Sequence, residues 1–377
     1  MKALVIFGTR PEGIKMAPII KELKKADGVE LVTCITSQHR ELLDSVIKVF
    51  DLEIDYDLNI FEKGQTLTDI TVRSLKGLEE VIKKEEPDVV LVQGDTTTVF
   101  AGALEAFYNG VKIGHVEAGL RSGNILSPFP EEANRKLTGI MTDFHFCPTQ
   151  RAKENLIKEG YDEKKLYITG NTVIDALLMT ADKVDSFTRD DLKKIDLNKR
   201  LILLTSHRRE NQGEPMENIF GAVRKIADEF NDVNIVFPMH PNPRVRELAK
   251  KHLDGADNVI LTEPVEYEDM AYILKHAYMV VTDSGGLQEE APALGVPVLV
   301  IRRETERPEG IEYGTAKLVG TEFDSVYNNM KTLLTDKDEY TKMHKAINPY
   351  GDGNSAKMIK DIFCLLYTSD AADDSLR

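Results

Sequence analysis

The residues best equipped for chemistry follow short apolar runs, one after another, along the whole chain. Lys2–Phe7 leads into Gly8-Thr-Arg-Pro-Glu-Gly-Ile-Lys15, Glu30–Thr36 into Ser37-Gln-His-Arg40, and Val89–Gln93 into Gly94-Asp-Thr-Thr-Thr98. Val111–Val116 carries His115 and runs into Glu117. In the second half the same position holds Ser206-His-Arg-Arg-Glu210, His240-Pro-Asn242 and Asp283-Ser-Gly-Gly286. Acids and a histidine gathered at strand ends suit proton transfer, because burial and like charges shift their pKa values. Arginine, lysine and bare backbone amides suit an anion such as a phosphate.

Each signal has a plain structural alternative. Gly8-x4-Gly13-Ile14-Lys15 approximates a P-loop, but the lysine is displaced by one, Met16 replaces the metal-binding hydroxyl, and Pro11 removes an amide. Arg10 and Lys15 can still hold an anion there, and an ordinary glycine turn with solvated charges fits the same letters. Ser284, Gly285 and Gly286 open a helix where a phosphate can approach amides, with Glu290 about one and a half turns on, in reach of a ribose. The alternative for Ser284 is a simple N-cap. Asp95 can equally cap the helix after it, and Glu131, behind Pro128-Phe-Pro130, can be a first-turn glutamate favoured by the helix dipole. His115-x-Glu117 lacks the P-C-x-x-C partner of a zinc deaminase, and Cys147-Pro148 stands alone. His145 and His252 read as structural or surface residues. No G-x-G-x-x-G follows a strand, so no nicotinamide is expected, and three isolated cysteines offer neither a disulfide framework nor a thiolate metal site. Neither a cofactor nor a metal is expected.

The elements that must position these residues alternate regularly. The apolar runs are continuous, as in parallel strands buried on both faces. Between them the spacing predicts helices over 14–25, 68–84, 98–108 and 132–141. The pattern pauses at Gly170-Asn171, passes a helix over 173–183 and a polar stretch to Arg200, then restarts with strands over 201–205, 234–238, 259–261, 279–282 and 298–300. This predicts two doubly wound, Rossmann-like α/β domains, residues 1–170 and 171–353, facing each other across a cleft that the strand ends line. Residues 364–377 read as an in-frame translation of a sequencing adapter, with a genuine acidic tail as the alternative.

Composition narrows the partners. With 377 residues, 42% apolar and 29% charged, the chain can bury two cores. A net charge of −15 argues against nucleic acid and anionic membranes as partners, so any anion must meet a local basic cluster. The first apolar run is too short for a signal peptide, and no run approaches the roughly 18 residues of a membrane span. A cytoplasmic protein is expected.

Taken together, Gly8-Thr-Arg-Pro-Glu12, Gln93–Thr98, His115-Val-Glu-Ala-Gly-Leu-Arg-Ser122, Pro128–Glu132, His207-Arg-Arg-Glu-Asn211, His240–Pro243, Thr282–Pro292, Thr305–Gly310 and Asn348–Gly353 resemble the non-hydrolysing UDP-N-acetylglucosamine 2-epimerases. The likeness spans Gly8 to Gly353. It implies the GT-B architecture, a helix over 354–363 returning to the first domain, and a homodimer. It also implies reversible epimerisation of UDP-GlcNAc to UDP-ManNAc through elimination of UDP to 2-acetamidoglucal and re-addition, supplying ManNAc units for surface polysaccharides. Asp95, Glu117, Glu131 and His207 would be catalytic. Arg10, Lys15, Arg135, Arg208, His240, Ser284, Gly285, Gly286 and Glu290 would hold the UDP-sugar. A hydrolysing epimerase and a GT-B glycosyltransferase are the alternatives.

One departure stands out. Many relatives bind a second, activating UDP-GlcNAc through a Gln-His-x-Gln loop and an Arg-Gln pair. Here Gln38, His39 and Gln65 remain, but Glu41 and Gly64 replace a glutamine and the arginine. The set reads as a vestigial effector site.

Overall fold

The computed structural model describes residues 1–38 and 40–374, without the side chains of 40–42 and 366–374, so His39 lies outside the described residues. The chain forms two compact units, Met1–Ala176 with Tyr350–Arg377, and Leu177–Pro349. No described helix is long and apolar enough to cross a membrane.

In the first unit the strands are β1 (Lys2–Phe7), β2 (Glu30–Ile35), β3 (Tyr56–Asp57), β4 (Val89–Gln93), β5 (Lys112–Val116), β6 (Phe144–Cys147) and β7 (Leu166–Ile168). They make one sheet in the order β3-β2-β1-β4-β5-β6-β7, with every pairing parallel. Ala3 to Phe7 are fully buried, as a central strand covered on both faces requires. The second unit repeats the plan with β8 (Arg200–Thr205), β9 (Val233–Pro238), β10 (Val259–Thr262), β11 (Ala277–Thr282), β12 (Val298–Val300) and β13 (Ala316–Leu318). Its order is β10-β9-β8-β11-β12-β13, again all parallel. Strand order reverses between β1 and β4 and between β8 and β11. At such reversals the flanking helices part and leave a crevice beyond the strand ends.

Most helices form where the apolar spacing predicts them. The first begins earlier, at Arg10 rather than Ile14, and runs to Lys24 with Pro11 in its opening turn. A missing amide costs nothing there, because that N–H has no intrahelical partner. The helix Ser355–Asp374 belongs to the first unit and lies against Arg10–Lys24. Asp175 Oδ1 accepts from its Ala356 amide at 2.8 Å, and the Phe363 ring sits 6.0 Å from Phe144 and 6.2 Å from Phe146. The edge strands β3 and β13, two and three residues long, have no signature in the sequence because they are too short to show a period.

The turn after β5 is crowded. Gly119 has φ +88°, and a Cβ on it would lie 2.2 Å from the Ala152 carbonyl oxygen, which is backbone and cannot swing away. Gly110, at φ +69°, has open space instead. Gly110→Ala should cost roughly 1–2 kcal/mol for the left-handed backbone alone. Gly119→Ala should cost at least about 2 kcal/mol more, since a backbone clash is added. Urea unfolding of the two variants checks this, and equal losses would contradict it.

Candidate active site

Each unit gathers its polar residues at the reversal of its sheet. In the first unit Glu117 directly follows β5 and takes φ +65°, a left-handed conformation uncommon for a residue with a side chain. Its carboxylate accepts from Lys15 Nζ at 2.5 Å and from Gln93 Nε2, and the side chain is only 7% exposed. The register explains the glutamine: Gln93 at the end of β4 pairs with Val116, next to Glu117. Strained backbone that persists in this way tends to mark functional positions.

Asp95 is fixed from several directions. Its Oδ2 accepts from Arg135 Nε at 2.9 Å and pairs with Nη2 at 2.6 Å, a fork that fits a guanidinium. Asn134 Nδ2 donates to the Asp95 carbonyl at 2.9 Å, and His115 Nε2–H donates to the Gly94 carbonyl at 2.7 Å. Burial lowers the His115 pKa to about 4 against that hydrogen bond, so the ring is a neutral tether. Arg135 also reaches the fully buried Glu132 at 3.0 Å, and Glu132 in turn accepts from the amides of Ser122 and Gly123.

The cap of the helix Thr97–Tyr108 is Thr96, whose hydroxyl accepts from the Val99 amide, so Asp95 is not spent on capping. Glu131 does open its helix, Glu131–Met141, as a first-turn residue. Its Oε2 is nevertheless buried without a hydrogen-bond partner among the described residues. Arg10, at the first turn of its helix, joins no ion pair among the described residues and leaves its charge available.

In the second unit β8 and β11 lie side by side, with Thr205 opposite Thr282. This brings the residues after them together: His207 Nδ1 lies 3.0 Å from Asp283 Oδ1. The His240 ring stacks on His207 at 5.8 Å and 20°. His240 Nδ1 accepts from the Asn242 amide at 3.1 Å, so its proton is on Nε2, where it can meet a phosphate. The helix Gly285–Glu290 has only six residues, and Ser284 stands at its N-cap without a side-chain capping bond. Open space fronts Gly285, and Glu290 Oε2 lies over Gly286. Arg208 Nη2 leans toward Glu306 at 3.7 Å.

Of the effector set, Gln65 Nε2 approaches the Gln38 carbonyl at 3.4 Å, and Gln38 Oε1 accepts from Thr98 at 3.2 Å. Arg73 donates to Gln65 Oε1 at 2.7 Å and pairs with Glu62. That guanidinium comes from eight residues downstream of Gln65 and has no place in the Arg-Gln pair. Sequence reasoning also missed Gln93, Glu132 and Asn134. Strand register was the available signal for Gln93, whereas helix phase after Glu131 was the signal for the other two.

Both units are Rossmann-like parallel sheets of the kind found in GT-B enzymes. The family model described as UDP-N-acetylglucosamine 2-epimerase matches residues 21–364, and the chain belongs to that family. It is 52% identical over 359 residues to the UDP-N-acetylglucosamine 2-epimerase of Bacillus subtilis, covering 95% of this chain and 94% of that one. It is 49% identical to the Escherichia coli K12 enzyme of the same name over 365 residues, 95% of this chain and 97% of the other. A solved UDP-GlcNAc 2-epimerase from Neisseria meningitidis, bound to UDP-GlcNAc, is 45% identical with a TM-score of 0.85, covering 97% of this chain and all of that one.

A buried acid braces the Arg10 turn. Glu12 accepts from the Gly8 amide at 2.7 Å and from Thr9 Oγ1 at 2.9 Å. Burial pushes its pKa up from 4.5 to about 7, against hydrogen bonds from Thr96, Gly8 and Thr9, with the Asp95 charge adding to the rise. The folded protein thus keeps a proton that the unfolded chain releases, and this group's contribution to stability declines between pH 4.5 and about 7 and is level above. Glu12→Gln cannot ionise. Its stability relative to the unmodified protein should rise across that window and then plateau, and parallel urea profiles would contradict this.

Proposed function

We propose that the protein interconverts UDP-N-acetylglucosamine and UDP-N-acetylmannosamine without hydrolysing them. The C2 proton of the sugar is not beside a carbonyl, so direct deprotonation is very unfavourable. Elimination avoids this: a base removes the C2 proton, the C1–O bond breaks, and UDP leaves with the bonding pair to give 2-acetamidoglucal. Re-addition of UDP at C1, with a proton delivered to the opposite face of C2, completes the epimerisation. Such chemistry needs acid–base groups at both ring faces and a firm hold on UDP throughout.

The observation that carries this reading is that the neighbouring strands β4 and β5 run into the Asp95 and Glu117 carboxylates, in a chain about half identical to named epimerases along nearly its full length. Asp95, Glu117 and Glu131 supply the proton-transfer groups, with the unengaged Glu131 oxygen suited to take a proton. Lys15 adds positive charge beside Glu117 and Arg135 beside Asp95, and Arg10 would meet a phosphate of the UDP-sugar. His207 joins the three carboxylates as a further acid–base group, while Arg208, His240, Ser284, Gly285 and Gly286 grip the diphosphate, and Glu290 accepts from the ribose. Resemblance to the family supports a cytoplasmic homodimer whose product feeds surface polysaccharides.

Incubation with UDP-GlcNAc should yield UDP-ManNAc with no free ManNAc accumulating. Asp95→Asn, Glu117→Gln and Glu131→Gln keep side-chain shape, so each should lower kcat by at least ~10²-fold while UDP binding survives. Stoichiometric release of free sugar would replace this reading with a hydrolysing epimerase.

Glu41 and Gly64, in place of an amide and a guanidinium, disfavour a second diphosphate. Loss of one charge-assisted contact is worth roughly 1.5–3 kcal/mol. The protein should therefore convert pure UDP-ManNAc at once and with hyperbolic kinetics. A long lag abolished by a trace of UDP-GlcNAc would show that Arg73 or another group restores the effector site.

A further inference from the structure

Asp283 is fully buried and binds nearly everything around it. Its Oδ2 accepts from Ser206 Oγ at 3.2 Å, the amides of His207 and Arg208 at 2.9 Å each, and Asn211 Nδ2 at 3.1 Å. Four donors on one oxygen hold the carboxylate rigidly at the end of β11, against the end of β8. Burial opposes the charge on Asp283, but hydrogen bonds from His207 and Arg208 together with the other contacts outweigh it and keep the carboxyl below its ordinary range.

The other oxygen is treated differently. Oδ1 accepts no well-aligned hydrogen bond among the described residues, and His207 Nδ1 lies 3.0 Å from it. The terminal torsion that would bring the imidazole N–H into line is broad and soft. A buried carboxylate oxygen left without a donor is costly, and the Nδ1–H form of the ring is the one that removes the cost. The His207 side chain is 39% exposed, so the far edge of the ring, with Nε2, reaches the surface of its unit.

We propose that Asp283 is the positioning residue for His207: it holds the ring as the Nδ1–H tautomer, presents a bare Nε2 to the bound substrate, and stabilises the imidazolium whenever Nε2 carries a proton. Asp283 itself stays ionised and takes no proton. The stacked pair is then asymmetric, because His240 carries its proton on Nε2 and His207 on Nδ1. The His240 ring can donate to a phosphate oxygen, whereas the bare Nε2 of His207 can take a proton and, once protonated, donate it to the departing UDP. This inference rests on the reading that His207 works on the substrate.

The test uses the whole protein. In ¹⁵N-histidine NMR of the unmutated protein without ligand, neutral His207 should show a protonated Nδ1 and a bare Nε2. The opposite tautomer overturns the proposal whatever any variant does. Asp283→Asn retains an oxygen for the four donors but turns an amide N–H₂ toward Nδ1. It should keep the fold and UDP binding, switch His207 to the Nε2–H tautomer, and lower kcat by about 10²- to 10⁴-fold, toward the value of His207→Asn. A normal kcat in Asp283→Asn beside a crippled His207→Asn overturns the role of Asp283. A normal kcat in His207→Asn instead refutes the catalytic reading of His207 and leaves the tautomer measurement to stand or fall by itself. If Asp283→Asn does not fold, the tautomer of the unmutated protein decides.

Discussion

A sheet buried on both faces leaves polar side chains almost nowhere to go, and this chain contains two such sheets. The exceptions are the two reversals of strand order, beside β1 and β4 and beside β8 and β11. At such reversals the helices that follow neighbouring strands depart to opposite faces and leave a crevice at the carboxyl ends. Parallel register then decides which residues meet. It sets Gln93 next to the β5 end that carries Glu117, and it sets Thr205 beside Thr282, so that the residues after them face each other.

The two reversals hold different chemistry. Around the first, carboxylates are constrained by cations and amides: Glu117 by Lys15 and Gln93, Asp95 by Arg135, Glu132 by backbone N–H groups. Pairing of this kind keeps buried charges tolerable and their geometry narrow. The left-handed backbone at Glu117 and the crowded Gly119 turn behind it are costs that the surrounding sheet sustains. Around the second, a single buried carboxylate organises a loop, and short unobstructed backbone follows at Gly285 and Gly286. The proposed elimination would draw its proton-transfer groups from the first set and its hold on phosphate from the second.

The sequence made much of this legible because both sheets are parallel and central. Runs such as Lys2–Phe7 and Val89–Gln93 are apolar without alternation, and the chemistry-bearing residues sit directly after them. What stayed hidden was mostly non-local. Nothing in the letters pairs Asp283 with the His207 amide, 76 residues away, or Arg135 with Asp95, 40 away. Local alternatives were hidden too. Asp95 and Thr96 are both good helix caps, and the structure gives that task to the threonine. Arg73 joins Gln65 only because of the phase of its helix, which a search for an adjacent Arg-Gln pair overlooks. Conversely, the short strands β3 and β13 carry no pattern to read.

The central claim is that carboxylates of the first unit exchange the C2 proton while UDP is detached. The most direct measurement is a proton NMR time course of UDP-GlcNAc with the enzyme in deuterated water. Elimination and re-addition predict that deuterium enters C2 of both epimers as the interconversion proceeds. Formation of the second epimer with its C2 proton fully retained would contradict the claim.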